Sequence, residues 1–383
     1  MKTNAILWIV CSSFILGGCI TDFNPKGIDG QADMLVVEGI ITDDESMFTL
    51  SKSLQLTVEE NDADSYRINF AKVYVECDDG TSWQSDSDTG DNGRYTVKTG
   101  PLNPARKYRL KIEIEEPDCN GNQLPCPVKT FEYVTGFSAP IQTPAIDSVF
   151  WRKRDRGHPV MIYVATHAPD NSVMYCRWSY REDWQINSEY ISPDYPYICW
   201  NMANSNDLLL GSAEKTVYGQ LTGMLTEKSP SERRFSVLYR IDVTQNAISK
   251  QAYDYFANVR KNVRQTGGIF APIPSEIRGN ITCTTDPDRP VIGYVEVSTT
   301  AGERLYISNQ EVYEPPFSTC RLLNRAELCE ELGVAPAFCG LFEIPNWYVP
   351  LEAALEAYYI RIECVDCTRF GTVQKPDDWP DSY

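Results

Sequence analysis

Several groups of residues in this chain are typed and spaced for chemistry, and each points to a different kind. Cys364-Val365-Asp366-Cys367 has the two-residue spacing of a redox or zinc pair. It follows a strand-like run, Tyr358 to Glu363, with no helix pattern after it and no second pair at zinc spacing, so a structural role is the plainer reading. The stretch from Asp86 to Gly93 offers Asp86, Asp88 and Asp91 as the oxygen ligands that calcium prefers. Gly90 stands at the third ligand position and Val97 where a bidentate glutamate belongs, so the calcium pattern is incomplete and a polar turn accounts for it. The two histidines, His158 and His167, are expected at strand ends. The chain has no Gly-x-Ser-x-Gly turn, His-Glu-x-x-His, phosphate loop or dinucleotide fingerprint. A carboxylate pair for hydrolysis could be drawn from the 53 acidic residues, but nothing singles one out. No catalytic residue, metal or cofactor is expected.

Aromatic side chains make a different kind of candidate. Between Trp178 and Trp200 they are denser than elsewhere, and Pro193 and Pro196 mark a loop there. Trp184, Tyr190, Tyr195, Tyr197 and Trp200 would give a loop contact area at low entropic cost, closed by a Cys176–Cys199 disulfide. The alternative is a loop folded back over its own sandwich.

The amino terminus decides where such a site would work. An apolar run from Ala5 to Leu16 ends in Leu16-Gly17-Gly18-Cys19. It is about a dozen residues long, whereas a helix needs about 20 to span a bilayer, so it reads as a signal peptide. Leu16 to Cys19 resembles the lipobox of bacterial lipoproteins. That resemblance implies cleavage before Cys19, a lipid on its sulfur and attachment to a membrane through acyl chains, each methylene contributing about 0.8 kcal/mol. Ile20 stands where a retention aspartate would be, which by the same analogy directs the chain to the outer membrane and leaves the face open.

Loss of Lys2 with the signal takes the net charge from -18 to -19, so nucleic acid is an improbable partner. Thirteen cysteines less Cys11 and Cys19 leave eleven, an odd number, and disulfides are the default outside the cytoplasm. The close pairs Cys119/Cys126, Cys176/Cys199 and Cys329/Cys339 could each close a short loop, although spacing does not fix connectivity.

The elements that must position these groups are mostly strands. Residues 1–18 form the signal peptide and 19–32 a lipidated tether with little apolar periodicity. Residues 33–146 show short alternating segments such as Ala71 to Cys77 and Tyr108 to Ile114, separated by turn residues, and predict an immunoglobulin-like or Greek-key β-sandwich. Residues 147–383 predict a second β-rich domain with helical insertions. Ile248, Ala252, Phe256, Val259 and Val263 recur at helical steps and predict one long amphipathic helix over about 243–266, capped by Asp242 or Thr244 and ended by Gly267-Gly268. Asn324 and Glu327 form a capping box, with Leu323 and Leu328 as a staple, for a short helix over about 325–332. The fold class is mainly β.

Several segments together resemble a family of Bacteroidetes outer-membrane lipoproteins known as a domain of unknown function: Leu35 to Gly39, Pro144 to Val149, Gly267 to Phe270, Pro274 to Ile281, Gly293-Tyr294, and a tail with Cys364 to Thr368, Gly371, Lys375-Pro376 and Trp379. The resemblance implies an N-terminal β-sandwich and a role beside a TonB-dependent β-barrel transporter as an accessory or binding subunit. It carries over no catalytic residue. The alternatives are a stand-alone module binding glycan or peptide, and a carboxylate-dependent hydrolase.

Overall fold

The structure, a computed structural model, describes residues 34–381 apart from 54–65, 88–89, 118–126, 169–172, 215, 217–218, 266–278, 317 and 354–355. The signal peptide, Cys19 and the tether lie outside the described residues, as do Asp88, Cys119, Cys126 and Gly267-Gly268.

Alternating apolar residues build the first seven strands: β1 (Leu35–Ile41), β2 (Asp44–Lys52), β3 (Lys72–Cys77), β4 (Ser82–Gln84), β5 (Arg94–Gly100), β6 (Tyr108–Pro117) and β7 (Val128–Thr135). In β6, Tyr108, Leu110, Ile112 and Ile114 are buried while the residues between them lie on the wetter face. Sheet β1-β2-β5 faces sheet β4-β3-β6-β7, the immunoglobulin-like arrangement, over a core that includes Phe48, Tyr95, Leu110 and Tyr133.

A second sandwich follows, from β8 (Ile146–Arg152), β9 (Val160–His167), β10 (Tyr175–Asn187), β11 (Ile198–Asn204), β12 (Leu209–Ser212), β13 (Gln220–Lys228) and β14 (Leu238–Ala247). Sheet β13-β9-β8 covers a sheet centred on β10, which pairs with β14 along one edge. Along its other edge β10 pairs with β12 in its first half and β11 in its second. Trp178 fills the space between the layers. Gly211 and Gly223 let it in, because a Cβ on either would fall 2.2 or 2.6 Å from the indole. The indole N–H donates to Gln245 Oε1 at 2.7 Å.

Helix α1 (Lys250–Gln265) begins later than its periodicity predicts. Asp242 and Thr244 belong to β14, whose buried Val243, Gln245 and Ala247 run straight into the helical stripe at Ile248. The cap is Ser249, whose Oγ accepts the Ala252 N–H at 3.1 Å. Ile248, Ala252, Tyr255 and Phe256 are buried and Val259 packs beside them, so the predicted stripe faces inward from Ile248 to Val259.

After α1 the chain returns to the first sandwich. β15 (Ile281–Cys283) adds to β7, while β16 (Val291–Ile292) and β17 (Glu296–Val297) run parallel to the two ends of β1. Ile281, Cys283, Val295 and Val297 share the first core. A division of the chain at residue 146 is therefore corrected: the first sandwich is completed by residues 281–297, and β18 (Thr300–Ser308) then rejoins the second by pairing with β14.

The remaining chain forms a short helix α2 (Asn309–Val312), helix α3 (Arg325–Glu331) and a hairpin of β19 (Tyr348–Ala353) and β20 (Glu356–Arg361). Asn324 and Glu327 make the capping box of α3, and Leu323 and Leu328 are buried in one small cluster with Tyr348. Disulfides Cys329–Cys339, Cys320–Cys364 and Cys199–Cys367 hold this segment together and tie it to β11. The expected Cys176–Cys199 bridge does not form. Cys199 pairs in register with Ile186 at one end of β10 and Cys176 with Gly211 at the other. At about 3.3 Å per residue, that separation is several times what a disulfide spans.

Candidate functional site

The aromatic residues between 184 and 200 do not share one exposed face. Trp184 is buried in the second core, with the Arg234 guanidinium 4.8 Å from its ring centre. Tyr190 and Tyr195 pack on the cluster of Val349, Ile360 and Val365. The Tyr190 N–H donates to the Cys364 carbonyl at 3.0 Å, the Cys367 N–H donates to the Pro196 carbonyl at 3.2 Å, and Ser188 and Tyr197 close the loop at 2.9 Å. Trp200 exchanges both backbone bonds with Thr372, at 2.8 and 2.7 Å. The loop is folded back under the C-terminal segment, which the long-range Cys199–Cys367 bridge fixes in place. Cys364 and Cys367 each bond a distant cysteine, so they do not form a redox pair with each other.

The other sequence candidates are dispersed. Asp86 is engaged by Lys98 at 2.7 Å, and Asp91 forms a backbone bridge with Arg94. His158 is exposed in the turn before β9. His167 ends β9 with its Nδ1 at 2.7 Å from an Asp147 oxygen, both side chains nearly half exposed.

Adjacent acids in β10, Glu182 and Asp183, are 2% and 0% exposed and face opposite sides of the strand. Glu182 accepts from the Tyr239 hydroxyl at 2.6 Å and from Arg234 at 3.0 Å. Burial, then Glu182, pushes the Tyr239 phenol well above its ordinary value. Asp183 accepts from Arg240 at 2.7 Å and Arg181 at 2.9 Å. Arg240 in turn donates to the Asp377 carbonyl and lies 5.3 Å from the Trp379 ring centre, so the tail closes over that pair. Both carboxylates are held as structural counter-charges.

A cleft of about 1050 Å³ lies where the two sandwiches meet. One wall is β1 with Ile292, Gly293 and Tyr294; the other is β10, the β11–β12 connection and β13; α1 closes the third side. The split of β10's partners leaves room for the connection Ser205–Leu208, and a bulge between Met224 and Thr226 bends β13 at the cleft edge. Tyr255, Phe256 and Tyr294 form an aromatic group with ring centres 5.3 to 6.4 Å apart. Arg177, on the face of β10 opposite Trp178, sets its guanidinium 4.9 Å from the Phe256 ring centre. Burial pushes the Arg177 pKa down, and the field of Glu38 pulls it back up. Among the described residues Arg177 has no hydrogen-bond acceptor and no ion-pair partner for its side chain. Sequence reading passes over this residue because its setting is assembled from β1, β10, α1 and Tyr294; its one local signal is a charge between buried Cys176 and Trp178.

Two β-sandwiches, the first completed by a returning segment, with a cleft between them lined by aromatic, cationic and acidic side chains, define a β-rich protein with a concave site. The chain belongs to the family described as a domain of unknown function (DUF4249), which it matches over residues 20–304. That span contains the first sandwich, the second as far as the middle of β18, and the whole cleft. It ends inside β18, so the disulfide-bonded tail that also fits the family resemblance lies beyond the matched region. A search of curated proteins finds no match.

Proposed function

We propose that this protein is a non-enzymatic, lipid-anchored outer-membrane protein that serves as an accessory or binding subunit of a TonB-dependent transporter. The cleft between the sandwiches carries the binding part of this reading. It is a preformed concavity of the size that takes small ligands, and it contains a cation, Arg177, whose guanidinium has no hydrogen-bonded or ion-paired carboxylate among the described residues. The buried acids Glu182 and Asp183 are already engaged by tyrosine and arginine, which leaves neither of them free for proton transfer. The anchor part rests on Leu16-Gly17-Gly18-Cys19, and the family match opens one residue after that cysteine. The partner is inferred from the lipoprotein family that the sequence resembles. Affinity purification of the tagged chain from its native outer membrane tests the association, with Cys19→Ala as the control. Recovery of a β-barrel transporter with the wild type supports it; recovery of the chain alone would favour a free-standing binding module.

A further inference from the structure

We propose that the cleft between the two sandwiches binds a small amphipathic ligand through a single carboxylate, which pairs with Arg177 while the apolar body lies against Tyr255, Tyr294 and Met224. This deepens the binding-subunit reading and rests on it. Arg177 lacks what other arginines of this chain have. Arg234 holds Glu182 and Glu232, Arg240 holds Asp183, and Arg289 grips Glu116 with two contacts of 2.7 and 2.8 Å. In a chain with 53 acidic and 35 basic side chains, carboxylates are not scarce. Arg177 is nonetheless part-buried without one among the described residues. A guanidinium taken out of water without a counter-charge is unfavourable, and an anion arriving from outside would relieve that cost.

The surroundings select the kind of anion. A planar guanidinium offers two parallel donors that match one carboxylate. The cleft also contains Glu38, Asp207 and Glu227, whose combined field would oppose a doubly charged phosphate more than a monoanion. Arg260, at the cleft, spends one contact on the Leu208 carbonyl at 3.4 Å and adds long-range attraction. The lining is mixed, and its apolar part can hold a ligand body: Met224 is 50% exposed, and the Tyr255 and Tyr294 ring centres lie 5.6 Å apart. A strongly acidic exterior would repel anions in general, so the cleft would admit those whose apolar part adds binding.

Calorimetric titration of the detergent-solubilised full chain tests this with three probes: 3-phenylpropionate, the tripeptide Leu-Phe-Leu as free acid, and the same tripeptide as its C-terminal amide. At least one free acid should bind and the amide should bind about tenfold more weakly or not at all. Binding of the tripeptide alone assigns the carboxylate to a peptide terminus; binding of phenylpropionate assigns it to an organic acid. Arg177→Met, which keeps length over Phe256 and removes the charge, should weaken the free acid about tenfold without lowering the ligand-free melting temperature. Arg177→Lys gives a second reading, with loss of the two-donor fit and weaker binding. Glu38→Gln, at an exposed position, should tighten it by removing a competing charge. Silence from both acids, equal binding of acid and amide, or indifference to Arg177→Met and Arg177→Lys would overturn the proposal. A transporter that still copurifies in that case leaves the accessory reading intact, and carboxylate binding without a transporter leaves the cleft assignment intact.

Discussion

A thiol closed inside a β-sheet behaves as a small apolar group, and Cys176 shows how far that goes. It is fully buried in β10, and burial pushes its pKa up to about 12. Cys77 and Cys283 are likewise free and buried. None of the three should react with iodoacetamide in the native protein, and all three should react once it is denatured; mass spectrometry of the labelled peptides checks this. The odd cysteine count is legible in the sequence, but the choice of free thiols is not, because it depends on which face of a strand each one occupies. A second residue-scale prediction concerns Gly223. Its absent Cβ leaves room for the Trp178 ring, so Gly223→Ala should cost about 1–3 kcal/mol, read as a lower denaturant midpoint at unchanged slope.

Elements with strong periodicity are the ones the sequence reports faithfully. The alternation from Tyr108 to Ile114 becomes β6, and the Asn324 capping box starts α3 where expected. The start of α1 misleads because β14 is buried along most of its length and its last apolar residues join the helical stripe without a break. The returning strands β15, β16 and β17 are two or three residues long, too short for any period, and only tertiary pairing makes them strands. Glu132 is one link that holds this return. It accepts from the Thr284 hydroxyl at 2.8 Å and meets Lys111 at 3.0 Å, and those contacts hold its pKa below the ordinary 4.5. The stability it lends is fully present above pH 4.5 and is lost as pH falls through its lowered native value. Glu132→Gln should therefore be less stable than wild type at neutral pH and should approach it in acid, as pH-dependent denaturant melts would show. The Cys199–Cys367 bridge is the other link worth cutting. Replacing both residues by serine should cost about 2–4 kcal/mol and expose the tail after residue 367 to limited proteolysis, while both sandwiches resist.

At the scale of the whole molecule, two sandwiches built from interleaved segments meet over one cleft, and that meeting makes the site. The aromatic run that stands out in the sequence packs partly into the second core, through Trp178 and Trp184, and partly against the C-terminal segment, through Tyr190 and Tyr195. Residues bunched in sequence are often bunched to fill a core, whereas Arg177, Phe256 and Tyr294 come together only through the fold. Anchor and cleft would divide the work, Cys19 fixing the protein at the membrane and the cleft facing the ligand. The most direct measurement is the stoichiometry of the complex purified from the native membrane through a tag on this protein, for wild type, Cys19→Ala and Arg177→Met. A transporter barrel should be recovered in near-equal amount with wild type and with Arg177→Met, and should be lost with Cys19→Ala. Wild-type protein recovered without any barrel would contradict the proposed role.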